Sequence, residues 1–172
     1  MKQLLKYSEK IKHLPRRGWL RTNIDNPETV GAHSWQMSLI ALYLSTTSIK
    51  KEYDFNHVIK LCICHDLAES KIGDITPKDA AYSTKGEREQ KAMKEIAQEA
   101  NFPLLIELFA EYEANQTPEA KLANDLDKID MLIQARYYEK EYADKNLGEF
   151  KQSAIKSIQT EIGKKIAQEL ML

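Results

Sequence analysis

Cysteine is almost missing from this chain of 172 residues, with Cys62 and Cys64 the only two. Residues two apart on a helix point in very different directions, so this C-x-C pair does not form a disulfide, and no third thiol completes a thiolate metal site. The two read as buried, reduced thiols. Glycine and proline are also sparse, at six and five, and the segments between them repeat with helical rather than alternating periodicity. An all-α fold, a helical bundle, is therefore expected. Nor is there an excess of one charge: 25 basic residues face 26 acidic ones, with a sequence pI near 6.4. That balance gives no general electrostatic reason to bind a nucleic-acid polymer or a membrane surface, so any phosphate recognition must be local. No apolar run approaches membrane-spanning length, and the charged, amphipathic start from Met1 to Lys10 is unlike a signal peptide. A cytoplasmic location is expected.

What is present suits one domain over residues 1–172, because 42% hydrophobic residues in this length fill one core. A first helix is expected over Lys2–His13, followed by a loop carrying the basic run Lys12–Arg21, too short for a nucleic-acid groove. Asn26 as N-cap, Pro27 at the first helical position and Glu28 in the first turn announce a second helix running to about Ser48. It places Val30, Met37, Ile40, Ala41 and Leu44 on one face. A third, apolar almost all round, spans about Asn56 to Ser70, as a central helix would. The stretch 71–84, with Gly73 and Pro77 as breakers, reads as a loop able to border a site and to act as a lid. Helices follow over 86–100, 103–114, from Thr117 to about Tyr142, and from Phe150 to about Leu170.

The chemistry concentrates at His65-Asp66, near the end of the third stretch. A buried, unpaired carboxylate beside so apolar a helix is expensive, which points to a cation as its partner. His33 lies within the inward stripe of the second helix. Imidazoles and carboxylates of this kind hold one divalent ion, with Mn, Co, Fe, Zn or Mg the candidates, and leave positions for water. Glu69 follows His65 by one turn and can approach a water on the ion as a general base or proton shuttle. A further ligand is expected from the long helix. Its main apolar stripe, Leu122, Leu126, Ile129 and Ile133, sets Asp125 or Asp130 near its edge, while the small row Ala123, Asp127, Met131, Ala135 favours Asp127. Spacing leaves the three aspartates open.

His33, His65-Asp66 and Asp127, in that order, resemble the H…HD…D signature of the HD-domain metal-dependent phosphohydrolases. Pro15 to Trp19, Pro27 to His33, His65 to Glu69, Gly73 to Ile75 and Leu126 to Ala135 look like one branch of them, the 5'-deoxynucleotidases. The resemblance implies an HD-type helical bundle that removes the phosphate of deoxynucleoside 5'-monophosphates and forms a homodimer. It also implies His33, His65, Asp66 and Asp127 as metal ligands, Glu69 as the acid/base residue, Arg17 on the phosphate, and Asp74 facing the sugar or the attacking water. Trp19 is a second candidate against the sugar. Here Gly18 separates Arg17 from Trp19, whereas the family's arginine and tryptophan are sometimes adjacent, so Arg16 and Arg17 both stay candidates. Other nucleotides remain as alternative substrates: triphosphates, cyclic nucleotides or alarmones. Only His13 and His57 lie outside the set, a poor supply for a two-metal centre. A metal-binding nucleotide sensor without turnover is the remaining alternative, and Glu69 argues against it.

Overall fold

The computed structural model describes residues 1–171, and among them there are ten α-helices, two short 3-10 turns and no strand. The expected all-α architecture is what forms. Helix α1 (Lys2–His13) buries Tyr7 and Ile11, one turn apart. A short α2 (Arg17–Leu20) occupies part of what was expected to be loop. Helix α3 (Val30–Leu44) begins later than Asn26, because residues 28–30 are engaged in extended pairing. Pro15 bridges Thr29, Arg16 donates to the Glu28 carbonyl at 3.0 Å, and Val30 donates to the Leu14 carbonyl at 2.8 Å. Thr29, not Asn26, is the cap, its hydroxyl accepting from the Ala32 N–H at 3.1 Å. The helix stops at Leu44, where the hydroxyls of Ser45, Thr46 and Thr47 turn back onto carbonyls of the last turn.

The third expected helix is two. Helix α4 (Phe55–Cys64), capped by Asp54, gives way to a tighter turn before α5 (Glu69–Ile72). In that turn Leu67 bonds back to Cys64, Glu69 to Asp66 and Ser70 to Leu67, each three residues on. Three residues per turn eclipses side chains at i and i+3, which brings Glu69 into line with Asp66. Helices α6 (Lys85–Ala100) and α7 (Leu104–Ala114) end on Asn101 and Asn115 in the left-handed conformation. Helix α8 (Pro118–Glu141) has Pro118 at its start and Thr117 as cap.

The last expected helix is also divided, into α9 (Gly148–Ser157) and α10 (Glu161–Met171). The cause is Asp125, fully buried on α8. It accepts the N–H groups of Gln159 and Thr160 at 2.8 and 2.7 Å and the Thr160 hydroxyl at 2.5 Å. Gly163 lies so close that a Cβ there would stand 2.5 Å from the carboxylate.

Helices α3, α4 and α8 pack mutually, with Met37, Val58, Leu61, Cys62, Leu122, Leu126 and Ile129 fully buried between them and α10 covering the outside. A second core joins α1, α6 and α7, and a third surrounds Trp19 with Ile24, Ala135, Tyr138 and Leu147. Both cysteines are free, and burial pushes the thiols up, Cys64 to about 11. No helix among the described residues is long and apolar enough to cross a membrane.

Candidate metal centre

The mutual packing of α3, α4 and α8 brings residues 33, 65–66 and 127 to one point. His33, fully buried one turn into α3, has Nδ1 2.6 Å from Asp130 Oδ2. His65 has Nδ1 2.9 Å from the Cys62 carbonyl, so the two acceptors fix a Nδ1–H tautomer and leave each Nε2 lone pair free. Both Nε2 atoms are buried without an aligned hydrogen-bond partner. Asp127 Oδ1 stands 3.3 Å from His33 Nε2, and Asp66 Oδ2 stands 3.0 Å from His65 Nε2 and 3.9 Å from His33 Nε2. Ligand atoms of His33, His65 and Asp127 all lie within 4.8 Å of one another. Two orphaned imidazole nitrogens facing two carboxylates are what a divalent cation satisfies, so the residues present fit a metal.

The electrostatics agree. Burial works to raise the Asp66 carboxyl, but His65, His33 and Arg16 outweigh it and hold it low. Burial also opposes Asp127, and Lys128, His33 and Arg16 keep it well below the usual range. Burial and Arg16 work to lower His33, while Asp127 and Asp130 hold it up at about 9.

Arg16 and Arg17 diverge. Arg16 is the extended residue just before α2, and its guanidinium is nearly enclosed, with Nε 3.6 Å from Glu28, Nη1 3.5 Å from Asp66 and Nη2 3.8 Å from Asp127. Arg17 starts the helix and swings out to Asp79 at 3.0 Å, a partner shared with Arg21. Of the two, Arg16 faces the cluster and Arg17 turns away from it. Trp19 is only 2% exposed, stacks on Phe150 at 4.7 Å, and donates from Nε1 to Glu28 at 2.8 Å. It anchors the third core.

Gly73, at φ 78°, ends α5 in a conformation favouring glycine and leads into Asp74, whose carboxylate accepts the Arg17 N–H at 2.6 Å. Glu69 is buried, with Oε2 unpartnered and Oε1 4.0 Å from Lys85, which also pairs with Glu89 at 3.4 Å. Burial, reinforced by Asp66 and Asp74, raises its carboxyl well above the ordinary range. The stretch 71–84 is anchored rather than free: Asp79 accepts from the Thr76 N–H and hydroxyl, and residues 80–84 form a 3-10 turn. Sequence reasoning did not assign Asp130, Glu28 or Lys85 to the site. Asp130 sits three residues from Asp127 on the same helix, a usable signal, whereas nothing in the sequence singles out Lys85.

The model of the HD domain matches residues 8–171. The chain belongs to the HD-domain family. This HD domain is 40% identical over 143 residues to the 5'-deoxynucleotidase HDDC2 of Danio rerio, covering 81% of this chain and 70% of that one. It is 36% identical over 151 residues to the 5'-deoxynucleotidase hdd1 of Schizosaccharomyces pombe, covering 82% and 74%. Among solved structures, a conserved hypothetical protein of Pyrococcus furiosus superposes with a TM-score of 0.87 at 35% identity, covering 99% of each chain. As an HD domain it belongs with metal-dependent phosphohydrolases, and His33, His65 and Asp127 supply one candidate ligand group, with Glu28, His33 and Asp130 a second.

Proposed function

We propose that this HD domain hydrolyses the 5'-phosphate of deoxynucleoside monophosphates, with one divalent ion held by His33, His65, Asp66 and Asp127. The observation that carries the reading is the pair of buried, partnerless Nε2 atoms set against two carboxylates that their surroundings hold low, with one guanidinium and one carboxyl raised by burial beside them. When bound, the ion supplies Lewis acidity, polarising a phosphoryl oxygen and lowering the pKa of a water. Two imidazoles favour Mn, Co, Fe or Zn over the harder Mg. Arg16 neutralises the phosphate dianion and the charge of its transition state. Glu69 holds the proton that the departing 5'-oxygen needs. Asp74, fixed by the Arg17 N–H, faces the sugar. Residues 1–172 are taken as one domain, supported by a site that draws on residues 16 to 127.

The names of the relatives support the deoxynucleotide preference, and a single guanidinium at the cluster suits a monophosphate better than a triphosphate. Metal-loaded protein is expected to release phosphate faster from dAMP or dCMP than from AMP, ADP or dATP. Equal rates on AMP and dAMP would remove the sugar preference, and faster release from dATP would move the protein to triphosphates.

Arg16→Ala should lower kcat/KM by about 1.5–3 kcal/mol, the scale of a lost charged hydrogen bond, which is about 10- to 150-fold. Arg17→Ala, losing only an exposed ion pair, should stay within about twofold. The reverse ranking in steady-state kinetics would return the phosphate to Arg17.

We also infer a homodimer through α3. Trp35, Leu39, Leu42 and Tyr43 recur at one-turn spacing on its outer face, Trp35 being 64% exposed, and the helix carries no Lys, Arg, Asp or Glu. A two-fold axis sets that face against itself without opposing like charges. Trp35→Asp is expected to sediment as a monomer with its metal retained; a wild-type monomer at micromolar concentration would refute the interface.

A further inference from the structure

The Glu28 side chain is only 8% exposed, and it offers a carboxylate oxygen within 4.8 Å of ligand atoms of His33 and Asp130 at the back of the site. Three elements fix this residue. Its carbonyl accepts the Arg16 N–H at 3.0 Å, its own N–H donates to the Tyr138 hydroxyl at 2.6 Å, and Oε1 accepts Trp19 Nε1 at 2.8 Å. The same Oε1 lies 3.6 Å from Arg16 Nε. Arg16 is therefore held at both ends by one residue, at its main-chain N–H and at its guanidinium.

The three guanidinium nitrogens each face a different carboxylate: Nε Glu28, Nη1 Asp66 and Nη2 Asp127. Two of these are metal ligands in the reading above. A cation held by Asp66 and Asp127 would take up their charge, whereas Glu28 is outside that proposed ligand set. With Nε tethered, the planar group presents Nη1 and Nη2 toward the ligands, the side on which a phosphate would arrive.

We propose that Glu28 is the positioning residue of Arg16, aiming its two terminal nitrogens at the phosphate. The proposal rests on Arg16 being the phosphate-binding arginine. A long side chain left free to choose rotamers binds an anion less tightly than one held in its bound geometry, so the effect belongs in phosphate affinity and KM rather than in metal content.

The test is a double-mutant cycle on inorganic phosphate binding to manganese-loaded protein by calorimetry, with Glu28→Gln, Arg16→Ala and the double variant. Glu28→Gln is expected to weaken phosphate about tenfold in the wild-type background and by less than about twofold in the Arg16→Ala background, the signature of one residue acting through the other. Metal per chain should not change. Glu28→Asp, which keeps the charge on a shorter arm, should recover most of the loss, and it carries the same comparison if Glu28→Gln fails to fold. Unchanged affinity in Glu28→Gln overturns the proposal, as does an equal loss in both backgrounds or a wild type with no phosphate affinity. Phosphate release from dAMP is followed in parallel. A protein that binds phosphate in this coupled manner but hydrolyses no nucleotide refutes the nucleotidase reading alone, while hydrolysis with KM indifferent to Glu28→Gln refutes the positioning role alone.

Discussion

Asp127→Ala should leave purification without bound metal and with phosphate release reduced by at least about 10³-fold, the scale expected when a catalytic ion is lost outright. The substitution removes one of the two anionic ligands and leaves His33 Nε2 without the carboxylate oxygen 3.3 Å away. It also strips Arg16 of one of its three counter-charges. Asp130→Ala is the informative companion, because Asp130 lies on the other side of the same ring and only orients it. Its loss should weaken metal affinity by about 10- to 100-fold while activity returns at saturating metal. Elemental analysis of the two variants decides the matter: metal kept by Asp127→Ala and lost by Asp130→Ala would exchange their places.

Glu69→Gln should keep its metal and lose kcat by about 10²-fold or more, the usual contribution of a general acid/base residue. An amide of the same shape fills the pocket but has no acidic proton to give. Since burial raises the Glu69 carboxyl, with Asp66 and Asp74 adding to it, the protonated form is the working one. Activity then falls as pH rises through the Glu69 pKa, and that alkaline limb should vanish in the variant. A metal-replete Glu69→Gln enzyme turning over like wild type would end the role.

Helix type and the core-facing residues were legible because apolar spacing sets them, and α1 and α8 begin and end within a residue of the bounds expected for them. The breaks were not. Apolar periodicity runs through His65 without interruption, so the tightening of the turn that aligns Glu69 with Asp66 leaves no trace in composition. The division of α9 from α10 depends on Asp125, more than thirty residues away. Asn26-Pro27-Glu28 carries a good helix-start signal, and tertiary pairing of Pro15 with Thr29 overrode it. The three aspartates of α8 looked equivalent by spacing, yet each has its own task. Asp127 faces His33 Nε2, Asp130 faces Nδ1, and Asp125, rotated away, holds the link between α9 and α10. The choice between Arg16 and Arg17 turned on where α2 starts, a boundary of one residue that no pattern in the basic run supplies.

The cluster draws its donors from α3, from the turn after α4 and from α8, so no contiguous piece of chain holds more than the adjacent His65-Asp66 pair. During synthesis the N-terminal two thirds of the protein can leave the ribosome with no competent ion trap. Loading waits until residue 127 has emerged and α8 has docked, and at a few residues per second to some twenty that interval lasts seconds or longer. That order makes metal selection an event of the finished fold, decided by whichever divalent ion is at hand when the last wall closes.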